Sequence, residues 1–121
     1  RHGRPVLVAT LAGRVIGFAS YGDFRDSQRW PGYRCTVEHT IHVDEAHQGS
    51  GVGRVQLRAL EARASAAGKR VMVAGIDASN VGSIEFHARL GYVEVARMPG
   101  VGVKWGRRLD LVLMQRDLGQ G

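Results

Sequence analysis

The sequence contains little cysteine, no long apolar run and no block of like charge, and each shortage argues against a class of protein. Cys35 is the single cysteine, so an intrachain disulfide is excluded and a reducing, cytoplasmic compartment is expected. The longest apolar runs, such as VMVAGI at 71–76, are far shorter than the roughly 20 residues of a membrane-spanning helix. The opening residues RHGRPVLVA lack the long apolar region of a signal peptide. We therefore expect no membrane partner.

The positive charge of the chain is large but dispersed. The formal net charge is +6, and fifteen of the seventeen basic residues are arginines spread from Arg1 to Arg116. The sequence contains no run of five basic residues and no stacking-aromatic motif of the RNA-binding type. A nucleic-acid-binding domain is therefore a weak alternative, and attraction to a small anionic ligand explains the charge equally well.

Length and composition predict one folded domain over residues 1–121, with 44% hydrophobic and 23% charged residues. The predicted elements are a hairpin over 5–21, a loop over 22–34, a strand over 35–43, a helix over 52–67, a strand over 70–76, a helix over 81–90, and strands over 92–98 and 109–117 around an irregular segment 99–108. This order predicts the α/β class, with a mixed central sheet flanked by helices. A complete domain of this type has a strand and helices before Pro5, and we expect this chain to lack them.

Two periodic patterns place side chains within these elements. Alternation in the third strand predicts one face carrying Val37, His39, Ile41 and Val43, and another carrying Glu38, Thr40 and His42. In the first helix, spacings of three and four predict an apolar stripe with Arg54, Arg58 and Glu61 lying off it and Gly68 as C-cap. The stripe consists of Val52, Val55, Ala59, Leu60, Ala64 and Ala67.

The glycine-rich stretch HQGSGVGR at 47–54 lies between a predicted strand and a predicted helix. Backbone N–H groups and the positive end of the helix dipole favour a phosphate or pyrophosphate there. Neither common nucleotide motif fits, because the helix does not begin with Lys-Ser/Thr and Gln56 stands where a dinucleotide motif needs glycine. From the glycines alone, a flexible turn remains an open alternative.

The pattern Q-x-x-G-x-G, formed by Gln48, Gly51 and Gly53, resembles the pyrophosphate loop of the GNAT superfamily of acyl-CoA-dependent N-acyltransferases. The segments TVEHTIHV, VAGIDASNVGSIEFHARLGY and VGVKWGRRLDLVLMQ resemble its phosphinothricin and methionine sulfoximine N-acetyltransferase branch, from about Pro5 to Gln115. The resemblance implies the GNAT fold without its N-terminal strand and two helices, and commonly a homodimer. It implies an enzyme that moves an acetyl group from acetyl-CoA to the α-amine of a glutamate-like or methionine-derived amino acid, by direct attack in a ternary complex.

The resemblance also assigns the residues that contact acetyl-CoA. Backbone groups of Ile41, His42 and Val43 are expected to pair with the pantetheine arm. The pyrophosphate is expected on the turn next to Gln48, through the amides of Gly49, Ser50, Gly51, Val52, Gly53 and Arg54. Asn80 and Ser83 match polar residues that touch the arm, although helix capping explains Asn80 equally well.

Two residues are predicted to carry the chemistry. The amine must lose a proton before it attacks the thioester, and the resemblance makes Glu38 the base. His87 occupies the position at which many relatives have a tyrosine that serves the departing thiolate. The alternatives are a solvent-facing strand glutamate and a packed helical histidine.

The acceptor is expected to carry an α-carboxylate, for which arginine is the natural partner. The predicted acceptor-binding residues are Arg25, Trp30, Arg34, Glu38, His39 and Thr40. Two departures from the family are the longer loop RDSQRWPGYR and Arg108, which stands where relatives favour tryptophan. No metal is predicted, because His39 and His42 lie on opposite faces and no other ligand completes a tetrahedral set with His47. A catalytically silent CoA-binding domain, or an enzyme acting on another small amine, remain alternatives.

Overall fold

The computed structural model describes residues 5–119, which form a single mixed sheet with two α-helices. The elements are β1 (Val6–Leu11), β2 (Arg14–Asp23), β3 (Thr36–Val43), α1 (Val52–Ala66), β4 (Val71–Asp77), α2 (Val81–Arg89), β5 (Val93–Lys104) and β6 (Arg107–Asp117), with short 3-10 helices at Pro31–Tyr33 and Glu45–His47. The predicted element order and α/β arrangement are confirmed. No helix in this part of the chain is long and apolar enough to cross a membrane.

The sheet has the strand order β1-β2-β3-β4-β6-β5, and β3 with β4 is its parallel pair. This pairing is short, since it joins Thr36–His39 to Val71–Ala74 and goes no further. Beyond it, β3 continues to pair with β2 as far as Val43. Over the same stretch β4 pairs with β6 as far as Asp77. The sheet therefore opens between β3 and β4, while β3 stays hydrogen-bonded to β2 and β4 stays hydrogen-bonded to β6.

Both helices pack on one face of the sheet. The side chains buried between them and the sheet include Val37, Leu57, Leu60, Met72 and Val112. The predicted alternation of β3 agrees with this arrangement, because Val37 and His39 are buried whereas Glu38, Thr40 and His42 are exposed. Within residues 5–119, the face that carries Glu38 is therefore the open one.

The predicted apolar stripe of α1 is wrong in half of its members. Val55 is 69% exposed, and Ala59 and Ala67 are also exposed. The residues that face the sheet are Gln56, Leu57, Leu60, Glu61 and Ala64. Periodicity failed here because two buried positions carry polar side chains, which an apolar pattern cannot register.

The segment 99–108, predicted to be irregular, is mostly strand. β5 runs to Lys104 and β6 begins at Arg107, and the turn residues Trp105 and Gly106 both have positive φ, at 51° and 75°. A register shift between Met98 and Gly102 accommodates the proline and glycines that suggested a loop. The guanidinium of Arg108 donates to the carbonyl of Gly100 at 3.2 and 3.0 Å, so Arg108 has a structural role in the hairpin.

A buried carboxylate joins α1 to the far strands of the sheet. Glu61 Oε2 accepts the Tyr92 hydroxyl at 2.7 Å, and Oε1 accepts from Arg58 Nη1 at 2.9 Å and Arg116 Nη1 at 3.2 Å. Burial and the hydrogen bond to Glu61 raise the pKa of Tyr92. Three donors compensate the cost of burying the charge, so Glu61 is tolerated inside the core.

We predict that Glu61→Gln lowers the free energy of unfolding by about 1–3 kcal/mol, because it weakens charge-assisted hydrogen bonds while keeping the side-chain volume. Urea denaturation at neutral pH measures the change. Glu85→Gln, on the exposed side of α2, is the matched control and is expected to change stability by less than about 0.5 kcal/mol. Equal stability of the Glu61 variant and the wild type would contradict this role.

Candidate functional site

A cavity of about 780 Å³ opens where β3 and β4 separate. Nine of the predicted cofactor-binding residues line it: Ile41, Val43, Gln48, Gly49, Gly51, Gly53, Arg54, Asn80 and Ser83. The side chains of His42, Ser50 and Val52 do not contribute to the wall. The wall also includes Gly82, Phe86, Arg89 and Leu90, which the motif analysis missed. Gly82 and Ser83 lie four and three residues before Phe86, and Arg89 and Leu90 lie three and four residues after it. This spacing could have found them, because such residues share a helix face.

One wall of the cavity is a strand edge. After His39, β3 has no pairing with β4, so the edge at Ile41–Val43 is turned toward the cavity. Strand edges carry unpaired N–H and C=O groups, which can pair with an extended polar ligand. This geometry suits a chain of amide groups lying along β3.

The end of the cavity is formed by the glycine-rich turn and the first residues of α1. Gly49 and Gly51 have φ values of 81° and 93°, a conformation that glycine adopts readily. Gln48 Nε2 donates to the Val43 carbonyl at 3.0 Å and ties the turn to β3. A Cβ at Gly53 would lie 3.3 Å from the Phe86 ring, so glycine lets α1 begin close to α2. The N–H groups of the first turn of a 15-residue helix and the cation of Arg54 together favour an anion.

Asn80 and Ser83 form the start of the opposite wall. Asn80 Oδ1 accepts the Ser83 backbone N–H at 3.0 Å and caps α2, so the capping interpretation of Asn80 is correct. The same residue lines the cavity, and within residues 5–119 its side-chain nitrogen Nδ2 makes no hydrogen bond. Capping and ligand binding are therefore compatible at this position.

Glu38 lies on the open face, opposite Val73 of β4 and close to the point where the strands separate. Its carboxylate lies across the backbone of β4, because a Cβ at Gly75 would come within 2.8 Å of Oε2. The Glu38 side chain is exposed as a whole, but desolvation of its carboxylate against β4 raises its pKa above the usual range. A carboxylate with a raised pKa accepts a proton more readily, which suits the predicted base.

The two histidines predicted to contact the reactants lie inside the core. His87 is 2% exposed and His39 is 7% exposed. Their rings are nearly parallel, with planes 12° apart and centroids 5.1 Å apart, and the Nε2 atoms are 3.2 Å apart. Neither ring lines the cavity. This differs from the expectation that His39 faces the acceptor and His87 the thiolate, because α2 and Tyr92 pack around both rings.

Both imidazoles are held in the neutral form. Burial and, to a smaller extent, the neighbouring His87 together lower the pKa of His39 to about 3. Burial also lowers the pKa of His87, although its bond to Ser83 and the charge of Glu61 oppose this shift. Desolvation dominates in both cases because a charged imidazolium loses its hydration in the core.

The predicted acceptor residues of the loop lie at the other end of β3. The Arg25 guanidinium carbon is 4.3 Å from the Trp30 ring centroid and 4.9 Å from that of Tyr33. Arg34 Nη1 instead donates to the Pro31 carbonyl at 3.1 Å. The structure therefore brings Arg25 and Trp30 together and directs Arg34 elsewhere. Thr40 is exposed on the face that carries Glu38. Among residues 5–119, no group of three or more His, Cys, Asp or Glu side chains is arranged to hold a metal ion.

Comparisons with known proteins give one consistent relationship. Residues 1–92 match the family described as the acetyltransferase (GNAT) family. Over 116 residues, the chain is 51% identical to the L-methionine sulfoximine/L-methionine sulfone acetyltransferase of Salmonella typhimurium, covering 96% of this chain and 66% of that enzyme.

Two solved structures show the same relationship in three dimensions. The structure of a Salmonella typhimurium protein with its cofactor acetyl-CoA matches with a TM-score of 0.90 and 50% identity, over 98% of this chain and 67% of that chain. A GNAT superfamily phosphinothricin acetyltransferase from Sinorhizobium meliloti, in complex with acetyl-CoA, matches with a TM-score of 0.88 and 38% identity. The match covers 98% of this chain and 63% of that chain. The chain spans about two thirds of the length of these relatives.

The neutral histidine pair predicts a specific loss of stability in acid. In the unfolded chain a histidine gains a proton below about pH 6.5, whereas folded His39 does so only near pH 3. Stability is therefore lost as the pH falls through this window, by about 2 kcal/mol from His39 alone between pH 7 and pH 5. Urea denaturation of the wild type and of His39→Leu at pH 7 and pH 5 measures the change in the free energy of unfolding. This change is expected to be smaller in the leucine variant. His42→Gln, which removes an exposed imidazole, is the control, and an unchanged pH dependence in His39→Leu would refute the prediction.

Proposed function

The chain belongs to the acetyltransferase (GNAT) family, and from this premise we propose that it transfers an acetyl group from acetyl-CoA to the α-amine of a small amino acid. The acceptors we propose are methionine sulfoximine, methionine sulfone and phosphinothricin. The names of the relatives support this choice. The observation that carries the proposal is the split between β3 and β4, which has the glycine-rich turn before α1 at one end and Glu38 at the other.

The residues of the cavity fit acetyl-CoA, which would supply the acetyl thioester. The N–H groups of the turn at 49–54 are proposed to bind the pyrophosphate, with the positive charges of Arg54 and Arg89 nearby. The β3 edge at Ile41–Val43 is proposed to hydrogen-bond the amides of the pantetheine arm. The opposite wall is formed in part by Asn80, Ser83 and Phe86.

Glu38 is proposed to take a proton from the ammonium group of the acceptor, directly or through water. The neutral amine then attacks the thioester carbonyl, and the new C–N bond forms as the C–S bond breaks. The nitrogen loses its second proton in this step, and that proton passes to the departing thiolate directly or through water. Direct protonation by His87 does not fit the geometry, because Nδ1 bonds the Ser83 carbonyl at 2.8 Å and Nε2 faces His39. Its assignment to the thiolate is therefore not part of the proposal.

Arg25 is the residue we propose to bind the acceptor carboxylate. Its guanidinium lies over two aromatic rings, and within residues 5–119 it makes no hydrogen bond or ion pair. Stacking orients the guanidinium while leaving its N–H edge available for a bidentate interaction. The loop that carries Arg25 begins directly after Asp23, which pairs with Val37, next to Glu38.

We predict that the protein releases free thiol from acetyl-CoA in the presence of methionine sulfoximine or phosphinothricin. Glu38→Gln is expected to lower kcat at least about 100-fold, because it removes the base but keeps the side-chain shape. The Kd for acetyl-CoA, measured by calorimetry, is expected to stay unchanged.

Glu85→Gln serves as the control, because it removes an exposed helical carboxylate outside the cavity and should retain wild-type turnover. A parallel loss of turnover and acetyl-CoA affinity in Glu38→Gln would argue against the role as base. An increase in Tm with acetyl-CoA, but no turnover with any amine, would indicate the silent CoA-binding domain instead.

We also propose that the protein is a cytoplasmic homodimer. The hairpin of β5 and β6 supports the dimer, because it presents apolar side chains such as Val103, 73% exposed, and Trp105, 89% exposed. Light scattering coupled to gel filtration is expected to give twice the monomer mass, and Val103→Glu is expected to shift it toward the monomer. A monomer mass for the wild type at micromolar concentration would overturn the dimer.

A further inference from the structure

The buried histidines lie at the point where the cavity begins. His39 is the last residue of β3 that pairs with β4, through Ala74, and the strands separate immediately beyond it. His87 lies on α2, which forms the opposite wall through Ser83 and Phe86. The contact between the two imidazoles therefore joins the two walls at the narrow end of the split.

The hydrogen bonds determine which nitrogen carries each proton. His87 Nδ1 lies 2.8 Å from the Ser83 carbonyl oxygen, which can only accept, so His87 Nδ1 is the donor. In the neutral ring, His87 Nε2 must then be an acceptor. His39 Nε2, 3.2 Å away, is consequently the donor in the bond between the rings. His39 on β3 therefore donates to His87 on α2, and His87 in turn donates to the Ser83 carbonyl of the same helix.

This arrangement leaves one polar atom uncompensated. His39 Nδ1 is buried and has no hydrogen-bond partner among residues 5–119. A buried acceptor without a partner is destabilising, and a leucine of similar size would avoid that cost. Packing alone therefore does not account for histidine at position 39.

The pair is also connected to α1. The ring of Tyr92 lies edge-on to both imidazoles, with centroids 5.9 Å from His39 and 5.2 Å from His87. The Tyr92 hydroxyl donates to Glu61 of α1 at 2.7 Å. Contacts thus run from α1, which begins at the glycine-rich turn, through Tyr92 to both imidazoles.

We propose that His39 is a positioning residue, whose hydrogen bond to His87 fixes α2 relative to β3 and thereby sets the width of the cleft for acetyl-CoA. The inference rests on the proposed function, since acetyl-CoA is the ligand of that cleft. His39 does not touch the reactants; it acts through His87 and Ser83.

The test separates the hydrogen bond from packing. His39→Leu keeps the volume but removes the donor, whereas His39→Gln retains an N–H donor at about the same reach as Nε2. We expect His39→Leu to raise the Kd and the KM for acetyl-CoA about tenfold, with little change in kcat. The Tm at pH 7 is expected to stay close to that of the wild type, because the variant removes the unpaired acceptor His39 Nδ1 but leaves His87 Nε2 unpaired. His39→Gln is expected to bind acetyl-CoA within about threefold of the wild type. Met72→Leu, a buried substitution in β4 without a hydrogen bond, controls for general core repacking.

Nitrogen NMR of the wild type gives a readout that is independent of the variants. It is expected to show neutral rings protonated on Nε2 in His39 and on Nδ1 in His87. The opposite tautomers, wild-type acetyl-CoA affinity in His39→Leu, or equal losses in the leucine and glutamine variants would each overturn the positioning role. Failure of the wild type to bind acetyl-CoA would overturn the proposed function, and the inference with it. Normal binding by the wild type and by His39→Leu would overturn the inference alone.

Discussion

The separation of β3 from β4 after four residue pairs is the constraint on which the rest of the structure depends. Each strand keeps its outer partner, so the split does not unravel the sheet. It supplies in one step an unpaired backbone edge and a cavity. A sheet fully paired at this position would have no room for a ligand between its strands, whatever side chains it carried.

The polar contacts in the core hold this opening in place from one side. Both helices pack on the same face, and Glu61 and Tyr92 connect α1 to the chain that follows α2. Hydrogen-bond donors offset the free-energy cost of burying Glu61, whereas His39 Nδ1 is buried without a partner among residues 5–119. The buried polar groups therefore lower the stability of the core in part, while their hydrogen bonds fix the relative positions of the helices and strands.

Much of the fold and part of the site could be predicted from the sequence, because the relevant signals are local. Alternation in β3 separated Val37 from Glu38, and Gln48, Gly51 and Gly53 identified the turn and the family, which the family match confirms. The burial of Glu61 and the pairing of His39 with His87 depend on residues 31 and 48 positions away. No local pattern contains that information. The strand character of 99–108 was hidden by Pro99 and three glycines, which a bulge and a tight turn accommodate.

Gly75 has a consequence for how this site can change over evolutionary time. A side chain at position 75 and the carboxylate at position 38 compete for the same volume. Replacing the glycine would push the carboxylate away. A shorter side chain at position 38 would remove the steric contact that disfavours a Cβ at position 75. Because the contacting atom is the mobile end of the Glu38 side chain, a larger residue at position 75 is compatible with the fold but moves the carboxylate, so its effect falls on the site and not on the sheet.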